Sequence, residues 1–189
     1  MKYALTLALS FLVASSTFAQ GVERAVEYNR KDISITSSTG EVIYKSLHDI
    51  DRDLKKALEF YGEEKYAEAY PIAAELSQWG IKRAQTLLGG MYVGGLHVDQ
   101  STIRGLVWLG VAKEKKSEKQ ATRMFNEIYN QLGDEQKAYV DSKVDSYVAK
   151  FGAKAQNLKC KKRRVTGTNI SQVQCSKARG SNSTLYPIG

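Results

Sequence analysis

Hydrophobic positions recur every three or four residues through the middle of the chain, a pattern typical of amphipathic helices that bury one face. Six such runs follow one another within residues 46–152, and most of them end at a glycine. The successive runs carry Leu47, Ile50, Leu54, Leu58 and Tyr61; Tyr66, Ala69, Tyr70, Ala73 and Leu76; Ala84, Leu87, Leu88, Met91 and Tyr92; Ile103, Leu106, Val107 and Ala112; Ala121, Met124, Phe125, Ile128 and Leu132; and Ala138, Tyr139, Val144, Tyr147, Val148 and Phe151. Helices joined by short links form αα-hairpins, so the pattern predicts three hairpins, enough to bury a continuous core.

The residues at the edges of these runs predict where individual helices begin and end. Ser101 precedes the fourth run and Asp134 precedes the sixth, and both side chains can accept a hydrogen bond from a backbone N–H of the first turn. Pro71 lies inside the second run, so we expect that helix either to kink at this proline or to begin later.

Seven tyrosines lie at or near the apolar positions of these runs. They are Tyr61, Tyr66, Tyr70, Tyr92, Tyr129, Tyr139 and Tyr147. We expect most of them to pack in the core, while some could line an exposed face, because tyrosine offers amphipathic contact area at low entropic cost. The spacing alone does not separate the two groups.

The first nineteen residues have the composition of an export signal. Lys2 supplies a positive charge, residues 3–14 are apolar, and Thr17 and Ala19 place small residues before a cleavage point. The apolar run is shorter than the ~20 residues that a membrane-spanning helix needs. We therefore expect residues 1–19 to be a signal peptide cleaved near Ala19, a mature chain without a transmembrane segment, and a periplasmic or secreted location.

Residues 20–45 separate this signal from the first helical run. Two short apolar segments, residues 33–35 and 42–44, flank a stretch rich in threonine, serine and glycine. Such a pattern predicts either a small hairpin or a mobile arm.

The chain contains two cysteines, Cys160 and Cys175. In an oxidising compartment such a pair is most simply a structural disulfide. The alternatives are a metal pair and a redox couple, but His48 and His97 show no metal-ligand spacing and redox pairs more often read C-x-x-C. We therefore predict a disulfide between the two cysteines and no metal site.

Small and aromatic residues in the third and fourth runs follow a fixed spacing. The sequence reads Ala84-x-x-x-Leu88-Gly89-x-x-Tyr92-x-x-Gly95-x-x-Val98, followed by Gly105-x-x-Trp108-x-x-x-Ala112. This spacing resembles the Sel-one-like repeat (SLR) family, whose members build tetratricopeptide-type α-solenoids. The resemblance implies an all-α fold, a short TPR-like solenoid of about three stacked αα-hairpins, in an exported bacterial protein.

The chain departs from the pattern of that family at three positions. His97 stands where a second glycine is usual, Ser101 where an acidic residue is common, and Gly105 where alanine is expected. One full repeat, about residues 84–115, carries the signature, and the hairpin at residues 118–151 lacks it and reads as a capping unit.

Charge is distributed unevenly along the chain. The 189 residues include 28 Lys and Arg against 20 Asp and Glu, a net charge of +8. The stretch from residue 150 to the C-terminus contains no acidic residue, and its basic residues are Lys150, Lys154, Lys159, Lys161, Lys162, Arg163, Arg164, Lys177 and Arg179. We therefore divide the mature chain into a near-neutral helical-repeat domain, residues 46–152, and a basic tail, residues 153–189.

The densest basic cluster lies beside Cys160 and comprises Lys159, Lys161, Lys162, Arg163 and Arg164. Residues 165–170 predict a turn between two short strands that the disulfide would clamp. The cluster is either a solvated surface or a site that attracts an anionic envelope glycan, an anionic lipid or an acidic protein. The absence of nearby aromatic residues for base stacking argues against nucleic acid.

The sequence contains no pattern that predicts catalysis. The glycine-rich segment at residues 89–95 follows a helical run and precedes Leu96-His97, whereas a phosphate loop follows a strand and ends in Lys-Ser/Thr. Paired carboxylates such as Glu63-Glu64 lie at helix ends or in turns. We expect neither catalytic residues nor a cofactor.

Two functional hypotheses follow from these observations. The family resemblance implies a non-catalytic scaffold or adaptor that presents a helical-repeat surface to a protein partner in the cell envelope. The charge distribution favours an alternative, in which the basic tail binds a polyanion of the envelope, either a glycan or an anionic lipid.

Overall fold

The computed structural model describes residues 47–177, and most of this part of the chain is helical. Its helices are α1 (Leu47–Gly62), α2 (Tyr66–Gln78), α3 (Lys82–Gly94), α4 (Thr102–Ala112), α5 (Lys119–Tyr129) and α6 (Asp134–Phe151), with a 3₁₀ turn at Glu114–Lys116; its strands are β1 (Leu158–Arg164) and β2 (Ser171–Lys177). The predicted signal peptide and the segment at residues 20–45 lie outside the described residues.

The helices stack in chain order. Helix α1 packs on α2, α2 on α3 and α3 on α4, while α4 then contacts both α5 and α6. The three helix pairs bury two apolar clusters among α1–α3 and a third among α4–α6. The predicted short α-solenoid of three stacked hairpins, followed by a disulfide-clamped hairpin, is confirmed.

Helices α3 and α4 approach each other closely where two glycines face each other. A Cβ atom added at Gly105 would lie 2.4 Å from Cγ2 of Val93 and 2.9 Å from the carbonyl oxygen of Gly89. A Cβ atom added at Gly89 would in turn lie 2.8 Å from Cγ of Leu109. The alanine that the family pattern carries at position 105 does not fit this contact, which explains the departure.

The link between α3 and α4 contains the two other departures. Gly95 ends α3 with φ +66°, and His97 also has a left-handed backbone, with φ +65°. Glycine adopts that conformation with least strain, and histidine is one of the residues that tolerate it. Ser101 is the predicted N-cap of α4, because its Oγ accepts a hydrogen bond from the backbone N–H of Arg104 at 3.3 Å.

Three helix ends differ from the sequence-based expectation or settle an alternative. Helix α2 begins at Tyr66 and continues through Pro71, so the alternative of a later start is wrong. Helix α5 ends at Tyr129 and leaves Leu132 in the following turn. Gly133, and not Asp134, is the N-cap of α6; its N–H donates to Oε1 of Gln136 at 3.1 Å.

The two strands form one antiparallel hairpin. Cys160 lies directly opposite Cys175, and the predicted disulfide joins them across the two strands. The connecting turn is closed by hydrogen bonds from the N–H of Val165 to the carbonyl of Ile170, at 2.8 Å, and from the N–H of Thr168 to the carbonyl of Val165, at 3.0 Å.

Candidate functional site

A set of aromatic side chains from α2, α3, α4 and α6 makes ring contacts between helices. We call it the aromatic band; it comprises Tyr70, Tyr92, Trp108, Tyr147 and Phe151. The rings of Tyr70 and Tyr92 meet edge to face at 6.3 Å, and their hydroxyl oxygens lie 3.0 Å apart. The ring of Trp108 lies 5.2 Å from that of Tyr147 and 5.3 Å from that of Phe151. Four helices therefore contribute to two sets of rings, one on α2 and α3 and the other on α4 and α6.

The positive charge of Arg104 acts on a tyrosine in each half of the aromatic band. Its guanidinium carbon lies 5.6 Å from the ring centroid of Tyr92, a distance that suits a cation–π contact. Burial raises the pKa of Tyr147 to about 12, although the positive charge of Arg104 acts in the opposite direction. Burial, and then the hydrogen bond with Tyr70, raise the pKa of Tyr92. Both hydroxyls are therefore protonated at neutral pH and can donate hydrogen bonds.

The aromatic band is partly accessible to solvent. Tyr92 and Trp108 are each 9% exposed, whereas Tyr70 and Tyr147 are half-buried. The ring of His97, which is exposed, lies 5.8 Å from that of Tyr70 and extends the band. Such a mixture of anchored rings and accessible edges is characteristic of surfaces that bind proteins.

A buried ion pair lies at the junction between the helices and the hairpin. The side chain of Lys82 is 4% exposed, and its Nζ donates to Oε2 of Glu114 at 3.0 Å and to the carbonyl of Val111 at 2.9 Å. Burial lowers the pKa of Lys82, and the hydrogen bond that Lys82 donates to Glu114 partly offsets that effect. A buried charge is tolerated when it is paired and hydrogen-bonded in this way.

The same network reaches the residues that follow α6. Nε2 of Gln85 donates to the carbonyls of Ser77, at 2.9 Å, and Phe151, at 3.0 Å. Oε2 of Glu114 also accepts a hydrogen bond from the backbone N–H of Ala153 at 2.7 Å. We call Lys82, Gln85 and Glu114, with these backbone partners, the polar joint. It ties α2, α3 and the 3₁₀ turn to the segment that leads into β1.

The base of the β-hairpin packs beside the polar joint. Nζ of Lys177 lies 5.1 Å from the ring centroid of Trp79, which is fully buried. Lys177 is itself buried, and this burial lowers its pKa. One of the eight basic residues of the predicted tail therefore points at the helical body and not at solvent.

The strand geometry divides the predicted basic cluster between two faces. Successive side chains of a strand point to opposite faces. Lys159, Lys161 and Arg163 therefore share one face of β1, and the other face carries Lys162 and Arg164, together with Cys160. All five basic side chains are exposed. The structure thus places the candidate residues on one strand but not in one patch.

Comparisons with known proteins give a likeness in fold only. No protein-family model matches the chain, and no curated protein matches it. The crystal structure of a protective antigen present in uropathogenic Escherichia coli strains, which displays an SLR fold, superposes with a TM-score of 0.49 at 19% identity over 82% of this chain and 33% of that chain. The chain thus spans about a third of the length of that antigen. A likeness of this strength assigns no function.

Neither the polar joint nor Arg104 was predicted from the sequence. The one usable signal is Gln85, a polar residue that shares the apolar face of α3 with Leu88 and Tyr92 at three- and seven-residue spacing. Lys82 and Glu114 lie at helix ends, where charged residues are usually solvated.

Metal binding and membrane insertion are two further possibilities to consider for residues 47–177. In that part of the chain, histidine, cysteine, aspartate and glutamate side chains form no group of three or more that could hold a metal ion. None of the helices described there is long and apolar enough to cross a bilayer.

Proposed function

We propose that this protein is an exported, non-catalytic scaffold that binds a protein partner in the cell envelope through the aromatic band. The observation that carries the proposal is that four helices of the stack contribute rings to the band and that the charge of Arg104 acts on a tyrosine in each half. Tyrosine and tryptophan dominate the binding energy of many interfaces because they bury large areas at low entropic cost. Stacked helix pairs bring such side chains together from positions far apart in sequence.

Location and domain organisation belong to the same proposal. The disulfide between Cys160 and Cys175 suits an oxidising compartment, in agreement with the signal-like sequence at residues 1–19. The near-neutral helical part, residues 46–152, would present the interaction surface. The basic tail, residues 153–189, would be attached to it through the polar joint.

Site-specific photocrosslinking in the native envelope tests the scaffold. A photoreactive phenylalanine analogue replaces Tyr147, at the accessible edge of the band, in one variant. In the matched control it replaces Tyr66, which is also half-buried but packs against Tyr61 at the turn between α1 and α2. We expect a discrete high-mass adduct from position 147 and none from position 66.

A second substitution separates a specific partner from chance neighbours. Tyr70→Ala removes the far end of the band, about three helices from position 147, and should reduce the adduct formed at 147 while leaving the far-ultraviolet circular dichroism spectrum unchanged. Equal adducts from positions 147 and 66, or an adduct at 147 that Tyr70→Ala does not reduce, would contradict the proposal.

A further inference from the structure

Three cations of β1 form a straight row on one face of the hairpin. We call Lys159, Lys161 and Arg163 the basic row. Neighbouring members are two residues apart on an extended strand, so their attachment points lie about 7 Å apart and the row extends over about 13 Å. Each of the three side chains is exposed.

The opposite strand supplies neutral hydrogen-bonding groups on the same face. Ser176 pairs with Lys159, Gln174 with Lys161, and Gln172 with Arg163. The two amides and the hydroxyl can each donate and accept hydrogen bonds. No acidic residue follows Asp145 in the sequence, so no carboxylate of the hairpin competes for the basic row.

We propose that the basic row binds a linear anionic polysaccharide that lies along β1. A linear chain with carboxylates or phosphates along its length can reach all three cations, and its hydroxyl groups match the amides of Gln172 and Gln174. The charge of the row is complementary to that of the polymer, and the row is long and narrow, as a single extended chain requires.

A membrane surface suits this arrangement less well. The remaining two cations of the cluster, Lys162 and Arg164, point to the opposite face, so a flat bilayer cannot contact all five. The turn exposes one large hydrophobic side chain, Ile170, which is 54% exposed. Interfacial insertion depends on a much larger buried apolar area.

This binding site is independent of the proposed scaffold function. The aromatic band lies on the helices, whereas the basic row lies on the hairpin, and no residue belongs to both. Loss of polysaccharide binding would therefore leave crosslinking at position 147 unchanged, and loss of the crosslink would leave polysaccharide binding unchanged.

Two charge-matched double variants of the full mature chain provide the test. Lys161→Gln with Arg163→Gln removes two cations of the basic row, and Lys162→Gln with Arg164→Gln removes one lysine and one arginine from the opposite face. The probe is polygalacturonate, with neutral dextran of similar length as the reference polymer. Dissociation constants are measured by titration calorimetry at low and at physiological salt.

We expect the first variant to weaken polygalacturonate binding about tenfold and the second by less than about threefold, with wild-type affinity falling as salt increases. Equal losses in the two variants would overturn the proposal, because net charge would then decide binding. Binding to polyglutamate as tight as binding to polygalacturonate would also overturn the proposal. So would tighter binding to anionic phospholipid vesicles than to polygalacturonate, if Ile170→Ser abolished the vesicle binding. The absence of binding by the wild-type chain would do the same.

Discussion

The solenoid contains two kinds of contact between elements, one dry and one polar. Between α3 and α4, Gly89 and Gly105 let the two backbones approach, and Val93 and Leu109 fill the space beside them. At the polar joint, the partners are a lysine, a glutamate, a glutamine and backbone groups. Both contacts are buried, but they are specified by very different features of the sequence.

The dry contact joins residues that are close in sequence, whereas the polar joint connects residues that are far apart in sequence. Gly89 and Gly105 belong to adjacent helices of one repeat, and their spacing is part of the signature that resembles the SLR family. Lys82 and Glu114 are 32 residues apart, and Gln85 and the carbonyl of Phe151 are 66 apart. Helical packing can therefore be predicted from spacing, but a long-range polar network has no period to detect.

The largest expected effect is the loss of one partner from the polar joint. Glu114→Ala leaves the ammonium of Lys82 buried without its carboxylate and removes the acceptor for the N–H of Ala153. We expect a loss of about 3–5 kcal/mol in the free energy of unfolding, measured by urea denaturation. The control is Glu59→Ala, since Glu59 pairs with Lys55 at 3.6 Å on an exposed face of α1, and its cost should be less than about 1 kcal/mol.

A second substitution identifies the cause of that loss. Adding Lys82→Met to Glu114→Ala removes the stranded cation and should recover part of the stability. If Glu114→Ala cost no more than Glu59→Ala, or if Lys82→Met gave no recovery, the polar joint would contribute nothing beyond an ordinary surface pair.

The contrast between local patterns and long-range contacts also limits how much of the fold can be predicted from the sequence. The existence and order of the helices, the N-cap at Ser101 and the disulfide follow from local patterns, and the structure confirms them. The predicted end of α5 was less accurate, because Leu132 continues the apolar spacing but lies in the turn after Tyr129.

The candidate sites were less predictable than the fold, for two physical reasons. Which tyrosines reach the surface depends on how helices stack, so Tyr70 and Tyr147 could not be distinguished from core residues by spacing. The basic cluster is contiguous in sequence, but strand geometry separates Arg163 from Arg164, and that division requires knowing that residues 158–164 form a strand.

The disulfide lies in the β-hairpin, which the polar joint connects to the helices, and it provides the next test. Replacing both Cys160 and Cys175 with serine opens a loop with a sequence separation of 15, and a loop of this size is worth about 3 kcal/mol in the chain-entropy model. We expect the loss to appear as faster amide hydrogen exchange in β1 and β2. Exchange at the centres of α3 and α4 should change little, because the contact at Gly89 and Gly105 is formed by residues of these two helices alone. Equal acceleration in the helices would show that the hairpin and the solenoid unfold as one unit.

Two glycines provide the smallest and sharpest test of the dry contact, because alanine should have opposite effects at them. Gly105→Ala places a methyl group against Val93 and the backbone of Gly89, and overpacking of this kind costs about 1–3 kcal/mol. A Cβ atom at Gly90, in α3, meets only Cε of Met124 at 3.5 Å and the hydroxyl of Tyr61 at 4.0 Å, which are ordinary contacts. Gly90→Ala should therefore stabilise the protein by up to about 1 kcal/mol through helix propensity alone. Urea denaturation of both variants gives the sign of the change in the free energy of unfolding. A stabilising effect of Gly105→Ala would mean that α3 and α4 can separate at no cost.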